Sequence, residues 1–412
     1  MRRTHDCFLH SLATLKRHKV IEGITLNYRT QIVSSLSAVG QQAWDGLLAL
    51  QGDANPFLSF AFLDALHETG CASIATGWQP QFLILWEDID TTPQLVAAIP
   101  LYAKMHSYGE YVFDWAWADA YQRNGLDYYP KLLSSIPFTP VTGARLLARD
   151  DDARTSLIEA LCAIQANSKV SSTHVLYPPE AQANQLKDAG FMLRAGVQFH
   201  WLNPGYASFD AFLESLERKK RKNIRAERRK VAEQGIIFRQ VAGTDASPAD
   251  WEFFNRCYAQ TYTEHHSTPY LSLDFFLRIG ATMGHNILLI IAERDGVPIA
   301  ASLVIHDGHT LYGRYWGAIA DVPCLHFETA YYQPLEYCIA NGLACFEGGA
   351  QGEHKMARGF LPQKTWSAHW LAHPSFSDAI ERFLERETGG IESYMDELHE
   401  RNPFRAANGA VT

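Results

Sequence analysis

Polar and apolar positions along the chain fall into two successive rounds of the same order. Ile24 to Val33 alternates as a strand, and the period turns helical through Trp44 and Leu50. In NPFLSFAFLDALHETG (55–70), Pro and Ser lead into an apolar helix that Gly70 ends. FLILW (82–86) and LVAAIPLYA (95–103) read as adjacent strands, and EYVFDWAWADA (110–120) as a further, aromatic-rich strand. The pattern then predicts a helix over 150–168, a strand over 173–177, a helix over 180–189 closed by Gly190, and a strand over 191–202. Ser208 caps a long helix whose natural stop is Gly235. In the second round, TPYLSLDFFLRIG (268–280) opens as a helix and ILLIIAERDGVPIAASLVI (287–305) is a hairpin turning on Asp295-Gly296. TLYGRYWGA (310–318) is a strand, HFETAYYQPLEYCIANGL (326–343) an interrupted helix, and ACFEGGA (344–350) a returning strand.

The two rounds align. NPFLSFAFLDAL (55–66) and TPYLSLDFFLRI (268–279) share Pro, Leu, Ser and Phe at matching places, and paired strands, an aromatic strand and a helix follow in both. The expectation is a duplicated α+β fold. A tail over 1–23 is expected to be disordered. An N-terminal domain then covers 24–205, a basic connecting helix 206–235, and a C-terminal domain 236–405.

Composition narrows the class. The 412 residues are 47% hydrophobic and 20% charged, ordinary for a globular protein with large cores. No apolar run is long enough for a membrane span, and the opening MRRTHDCFLHSLATLKRHKV does not read as a signal peptide. Seven cysteines without a CxxC pair argue against a disulfide framework or a zinc ribbon and for a reducing cytoplasm. No HExxH occurs and His265-His266 lacks a spaced carboxylate or Cys partner, so neither a metal nor a bound cofactor is expected. The chain carries −9 overall, yet ERKKRKNIRAERRK (217–230) holds nine Lys or Arg against two Glu. Two readings stay open. Arg221, Arg225 and Arg228 form an anion site, for a tRNA backbone, a polyphosphorylated lipid precursor or an acidic membrane face; or the helix is merely solvated.

Chemistry concentrates in FEGGAQGEHKMARGF (346–360), where Gly348, Gly349 and Gly352 let backbone approach a ligand while Glu353, His354, Lys355 and Arg358 crowd the same stretch. It is neither a Walker loop nor a dinucleotide fingerprint. The pair FEGGA and ARGF resembles the late motif of the FemAB/FemX peptidoglycan aminoacyltransferases, and KRKNIRAERRK resembles that family's basic Asn-Ile-Arg helix. YWGA (315–318), CLHFE (324–328), GAQGEHKMARGF (349–360) and GEYVFDWAWADAYQRNGLDYYPKLL (109–133) resemble the FemAB-like group of peptidoglycan biosynthesis and recognition, over roughly 30–405. The resemblance implies two tandem acyl-CoA N-acyltransferase (GNAT)-like domains, each a mixed sheet flanked by helices. It also implies acyl or aminoacyl transfer from acyl-CoA or aminoacyl-tRNA to an amine, such as a peptidoglycan precursor, in the cytoplasm or at the inner membrane face. The nearest string to the superfamily's pyrophosphate turn, QRNGLD (122–127), has Asp where a small residue belongs.

Acyl transfer assigns roles. Glu353 or His354 accepts the amine proton, and backbone N–H groups near Gly348–Gly352, with Lys355 and Arg358, stabilise the oxyanion. Asp119, Tyr121 and Arg123 of the first domain are expected to hold substrate across the domain interface. His326 and Glu328 form either a second acid/base pair or a cap on the following helix. The rival reading is a non-catalytic GNAT-like module that binds a cell-wall precursor or nucleic acid.

Overall fold

A computed structural model describes residues 15–21, 24–89, 92–349 and 352–405; of the tail expected to be disordered over 1–23, Leu15–Ile21 is instead a strand paired with residues 24–30, and the rest lies outside these. The chain folds as two compact α+β units. The first takes residues up to Gly196 and then 365–391; the second takes 197–364 and the remainder.

In the first unit, β1 (Leu15–Ile21), β2 (Ile24–Val33), β4 (Phe82–Ile89), β5 (Thr92–Ile99) and β8 (Leu147–Ala148) form one sheet in the order β1-β2-β4-β5-β8. Pro100 breaks the expected long strand, sending β6 (Leu101–Lys104) into a second sheet. That sheet runs from β3 (Trp78–Pro80) through β6, β7 (Lys131–Ser134) and β9 (Ser172–Leu176) to Ser367–Leu371 of a later strand, with β7 and β9 parallel. Helices α1 (Gln41–Leu48), α2 (Phe60–Glu68), α4 (Asp151–Asn167) and α5 (Glu180–Asp188) flank the strands. Leu157, Leu161, Leu83, Ile99 and Val175 meet in the core.

EYVFDWAWADA is not a strand. Tyr111 takes a positive φ of 64°, and α3 (Trp115–Arg123) follows. Trp117 and Tyr121, one helical turn apart, bury against Tyr128, Leu371 and Ile380. QRNGLD therefore ends this helix and leads toward strand β7, not into a helix N-terminus that could meet a pyrophosphate.

Residues 105–130 leave the sheet at Lys104 and rejoin it at Lys131, and these two lysines are register partners across β6 and β7. Both are fully buried. Lys131 Nζ donates to Ser107 Oγ and Glu110 Oε2, each at 2.8 Å, and to Asp114 Oδ2. Lys104 Nζ lies 3.6 Å from the Trp78 ring centroid and 3.9 Å from Glu110 Oε1. The excursion thus folds two carboxylates back onto the lysines at its own root. Asp114 also accepts from Tyr128, whose hydroxyl meets His174, and the His174 and His369 Nδ1 atoms lie 2.7 Å apart.

The second unit contains β10 (Met192–Leu202, from Val197 on), α6 (Phe209–Ser215), α7 (Arg218–Ala232), β11 (Ile236–Ala242), α8 (Pro248–Glu264) and α9 (Leu273–Met283). Next come β12 (Ile287–Arg294), β13 (Val297–His306), β14 (Thr310–Ala318), a short α10 (Leu325–Phe327), a π-helical turn Glu328–Tyr332, α11 (Gln333–Asn341) and β15 (Cys345–Glu347). Then β16 (Leu361–Leu371) and α12 (Pro374–Glu400) pass residues back to the first unit and out again. The strand order is β11-β12-β13-β14-β15-β10. The predicted hairpin is present, with Asp295 and Gly296 both at positive φ.

The long helix expected between Ser208 and Gly235 is two. Leu216 is extended and bridges Phe404, while Glu217 N–H donates to the Pro403 carbonyl. The basic run then occupies nearly all of α7. The duplication is visible in matching parts: Ser59 caps α2 by accepting from Phe62 N–H, and Ser272 caps α9 by accepting from Phe275 N–H. In each unit an antiparallel strand pair is followed by a parallel partner, β6-β7-β9 in the first and β13-β14-β15 in the second.

Candidate active site

Parallel pairing of β14 with β15 covers only Thr310–Tyr312 against Cys345–Glu347, although β14 runs on to Ala318. The glycine bend begins where the pairing stops. A side chain at Gly348 would put Cβ 2.8 Å from the Phe360 ring and 3.3 Å from Lys355 Cδ. Gly349 and Gly352 take φ of 87° and 114°, a region that costs any other residue strain. A 3₁₀ turn, Glu353–Arg358, then carries the charged cluster.

Lys355 is 3% exposed and its Nζ donates to the Gly349 carbonyl at 2.9 Å. Burial pulls its pKa down to about 8. His354 Nε2 lies 3.3 Å from the Tyr331 hydroxyl. Burial, then the Lys355 and Arg358 cations, lower the His354 pKa, so the ring is neutral at pH 7. The His326 ring packs tilted against Trp316, centroids 4.6 Å apart, and edge-on to Tyr331 at 5.4 Å, and burial with the nearby His354, Arg358 and Lys355 lowers its pKa to about 4. Glu347, last residue of β15, is pushed up to about 8 by burial against the pull of Arg314, so its carboxyl holds a proton at neutral pH. Two buried cations, Lys355 and Arg358, and two neutral imidazoles therefore meet at the bend, while the Glu347 carboxyl lies 4.0 Å from His200 Nε2. Among the described residues no group of His, Cys, Asp and Glu is arranged to hold a metal.

A family model for peptidoglycan biosynthesis/recognition, FemAB-like, matches residues 35–406. The chain belongs to the FemAB-like family. The crystal structure of FemX is similar at 11% identity and a TM-score of 0.53, covering 83% of this chain and 98% of that one, which shows a shared fold. L-PGS from Bacillus licheniformis (11% identity, 84% of this chain, 97% of that one, TM-score 0.47) is a more distant neighbour. So is a tandem GNAT protein from the clavulanic acid biosynthesis pathway (11%, 84%, 99%, 0.44). A search of curated proteins finds no match. No helix among the described residues is long and apolar enough to cross a membrane.

In this FemAB-like chain the residues singled out by sequence do not all converge. Gly348, Gly349, Gly352, His354, Lys355 and His326 share the cluster just described. Glu353 is exposed and turned toward α12, accepting from Tyr394 Oη at 2.8 Å and Arg401 at 3.2 Å. Arg358 is buried and its two terminal nitrogens are taken: Nη2 donates to Glu227 at 2.9 and 3.1 Å, Nη1 donates to the His354 carbonyl at 2.9 Å, and the guanidinium lies 3.5 Å over Phe327. Glu328 is likewise taken, by Arg228 at 2.9 Å. In the first unit, Asp119 and Arg123 pair with one another on the exposed face of α3 at 2.8 Å, and Tyr121 packs in the core.

Of the three arginines proposed for anions, Arg228 is half-buried and already paired, with Glu328 and with Glu336 at 2.7 Å. Arg225 makes an exposed pair with Asp210, and Arg221 reaches the Glu214 carbonyl at 3.5 Å. Arg218, Lys219, Lys220, Lys222 and Lys230 have no ion pair among the described residues. Beside α7 lies a cavity of about 460 Å³, lined by Arg225, Arg228 and Arg229, by the carboxylates Asp210, Glu328 and Glu336, and by apolar residues such as Phe209 and Phe238. Sequence reasoning missed Glu227, Tyr331 and Tyr332. Glu227 did carry a signal: it is the acidic residue inside a basic run, on the same face as the buried Ile224 and Val231.

Proposed function

We propose that this protein transfers an acyl or aminoacyl group from an activated donor, aminoacyl-tRNA or acyl-CoA, to the amine of a peptidoglycan precursor. Family membership supports the reaction class, and the fold is that of FemX. The observation that carries the local assignment is Lys355, a buried cation beside a neutral His354 at the open end of a split strand pair. The acceptor nitrogen attacks the donor carbonyl and its proton passes to the His354 imidazole. Negative charge grows on the carbonyl oxygen, and Lys355 with the bend's backbone N–H groups stabilises it. The carbon–oxygen or carbon–sulfur bond then breaks, and the leaving group takes a proton from the newly charged imidazole. Unpaired cations on α7 hold the donor's phosphates, which both donors carry.

Transfer of radiolabelled amino acids from charged, unfractionated tRNA, and of acetyl groups from acetyl-CoA, to lipid-linked or nucleotide-linked precursor tests this. Lys355→Ala is expected to lower turnover at least ~100-fold, the size of losing one oxyanion donor, while tRNA binding changes less than about twofold. Full turnover in that variant would remove the cluster from the reaction. Saturable precursor binding with no transfer from either donor would favour the non-catalytic module.

A further inference from the structure

Glu227 and Arg228 are consecutive on α7 and opposite in charge; both bond the π-helical turn, and Glu227 also bonds Arg358 at the end of the bend. Glu227 accepts from Arg358 Nη2 and from the Tyr332 hydroxyl. Arg358 in turn donates to the carbonyl of His354. Arg228 reaches the other way, to Glu328 at the head of the π-helical turn and to Glu336 on α11, and Gln333 also donates to Glu328 at 2.9 Å. Glu328 stands two residues after His326. One tie thus ends on the carbonyl of His354 itself and another two residues from His326, and both start from adjacent residues of the basic helix.

These are strong contacts. Glu328 is 3% exposed and Arg358 is 6% exposed, so neither charge has water as an alternative partner. Pro334 cannot donate an N–H at the start of α11, and the chain above it widens into the π turn, with Gln333 N–H donating to the Glu328 carbonyl. The Thr329 carbonyl accepts from Ser302 Oγ at 2.8 Å, fixing the turn to β13. Arg218, Lys219, Lys222 and Lys230 meanwhile are exposed on α7, with no ion pair among the described residues.

We infer that Glu227 and Arg228 are positioning residues that tie the phosphate-binding helix to both sides of the transfer cluster, setting the place of His354 and His326. This rests on the reading of α7 as the donor-phosphate helix. Glu227 sets the bend through Arg358, and it holds the π turn together with Arg228, through Tyr332 and Glu328 respectively. A donor held on the outer face of α7 thereby meets imidazoles whose positions that same helix dictates.

Glu227→Gln tests the first tie, with the milder Tyr332→Phe beside it in case the former folds poorly. Three readouts are taken on the full chain: the imidazole titration of His354 by NMR, amide exchange over residues 352–360, and binding of unfractionated tRNA. The groups that lower the His354 pKa are burial, Lys355 and Arg358, and Glu227 does not act on it directly. Freeing Arg358 lets the bend open and the guanidinium leave, so the His354 midpoint is expected to rise toward the ordinary value, by about half a pH unit or more. Exchange over 352–360 is expected to quicken about tenfold, and tRNA affinity to stay within about twofold. Tyr332→Phe is expected to move the same readouts less. An unchanged His354 midpoint and unchanged exchange in both variants overturn the inference. Failure of the wild-type chain to bind tRNA at all would instead count against the donor reading, and the ligand-free titration separates the two.

Discussion

Replacing Lys131 by Met isolates the buried charge cluster of the first unit. Met fills similar volume but brings no charge and no donor. Lys131 is fully buried and gives up three hydrogen bonds, to Ser107, Glu110 and Asp114. Removing one partner of a buried ion pair costs about 3–5 kcal/mol, because the other charge stays behind uncompensated. Glu110 limits its own share: burial, against the pull of Lys131, already raises its pKa to about 7, so it takes up a proton at neutral pH. Asp114 cannot escape so easily. Burial alone would raise it, and Lys131 then holds it well below the usual carboxylate range. The expected loss is therefore about 3 kcal/mol at pH 7.5, or roughly a hundredfold faster exchange at the amides of β7 and β9 if they open with the unit. The sign with pH follows. A carboxylate whose folded pKa is depressed contributes stability above its unfolded value, about 4, and loses it as pH falls through its folded value. The wild-type advantage over Lys131→Met should hold at pH 7.5 and shrink below about pH 4. Adding Asp114→Asn should restore a good part of the loss. A deficit under about 1 kcal/mol at pH 7.5, or the same deficit at pH 3.5, would show that Lys131 is not what keeps Asp114 charged.

Three further outcomes are expected. Reversing Lys219, Lys220 and Lys222 to Glu should weaken tRNA binding and flatten its salt dependence; an unchanged slope would make α7 a solvated helix. Gly348→Ala should cost about 1–3 kcal/mol of overpacking and slow transfer more than tenfold, since its Cβ would sit 2.8 Å from Phe360; full activity with unchanged melting would show that the bend tolerates a methyl group. Because Lys355 must be charged to stabilise the oxyanion, transfer should fall as pH rises through about 8, and Lys355→Arg should move that limb upward; an alkaline limb that ignores the substitution belongs to another group.

Local rules reached much of this architecture. Asp295-Gly296 specifies a hairpin wherever it sits, and Ser59 and Ser272 cap their helices with atoms four residues away at most. Those features need no knowledge of the rest of the chain. The break at Leu216 does, since it depends on Phe404, far along the sequence. So does the misread aromatic segment. Alternating Tyr, Val, Phe and Trp fit a strand, but Trp117 and Tyr121 found a helical docking site made by Leu371 and Ile380. Within the site, Gly348, His354 and Lys355 were legible because they are neighbours in sequence. Arg358 and Arg228 looked identical to reactive cations until their partners, Glu227 and Glu328, came into view across the fold. Charge type is written in the sequence, whereas whether a charge is already spoken for is not.

The loop between Lys104 and Lys131 has a three-residue counterpart in the second unit, 307–309 between β13 and β14. Since the two lysines already face each other in register, trimming the excursion would leave a strand connection of normal geometry but two ammonium groups sealed in the interior. Restoring apolar residues at both strand ends first would strand Glu110 and Asp114 instead. Neither half can be discarded alone without passing through a badly destabilised intermediate, so the excursion and its anchoring charges can be removed only together.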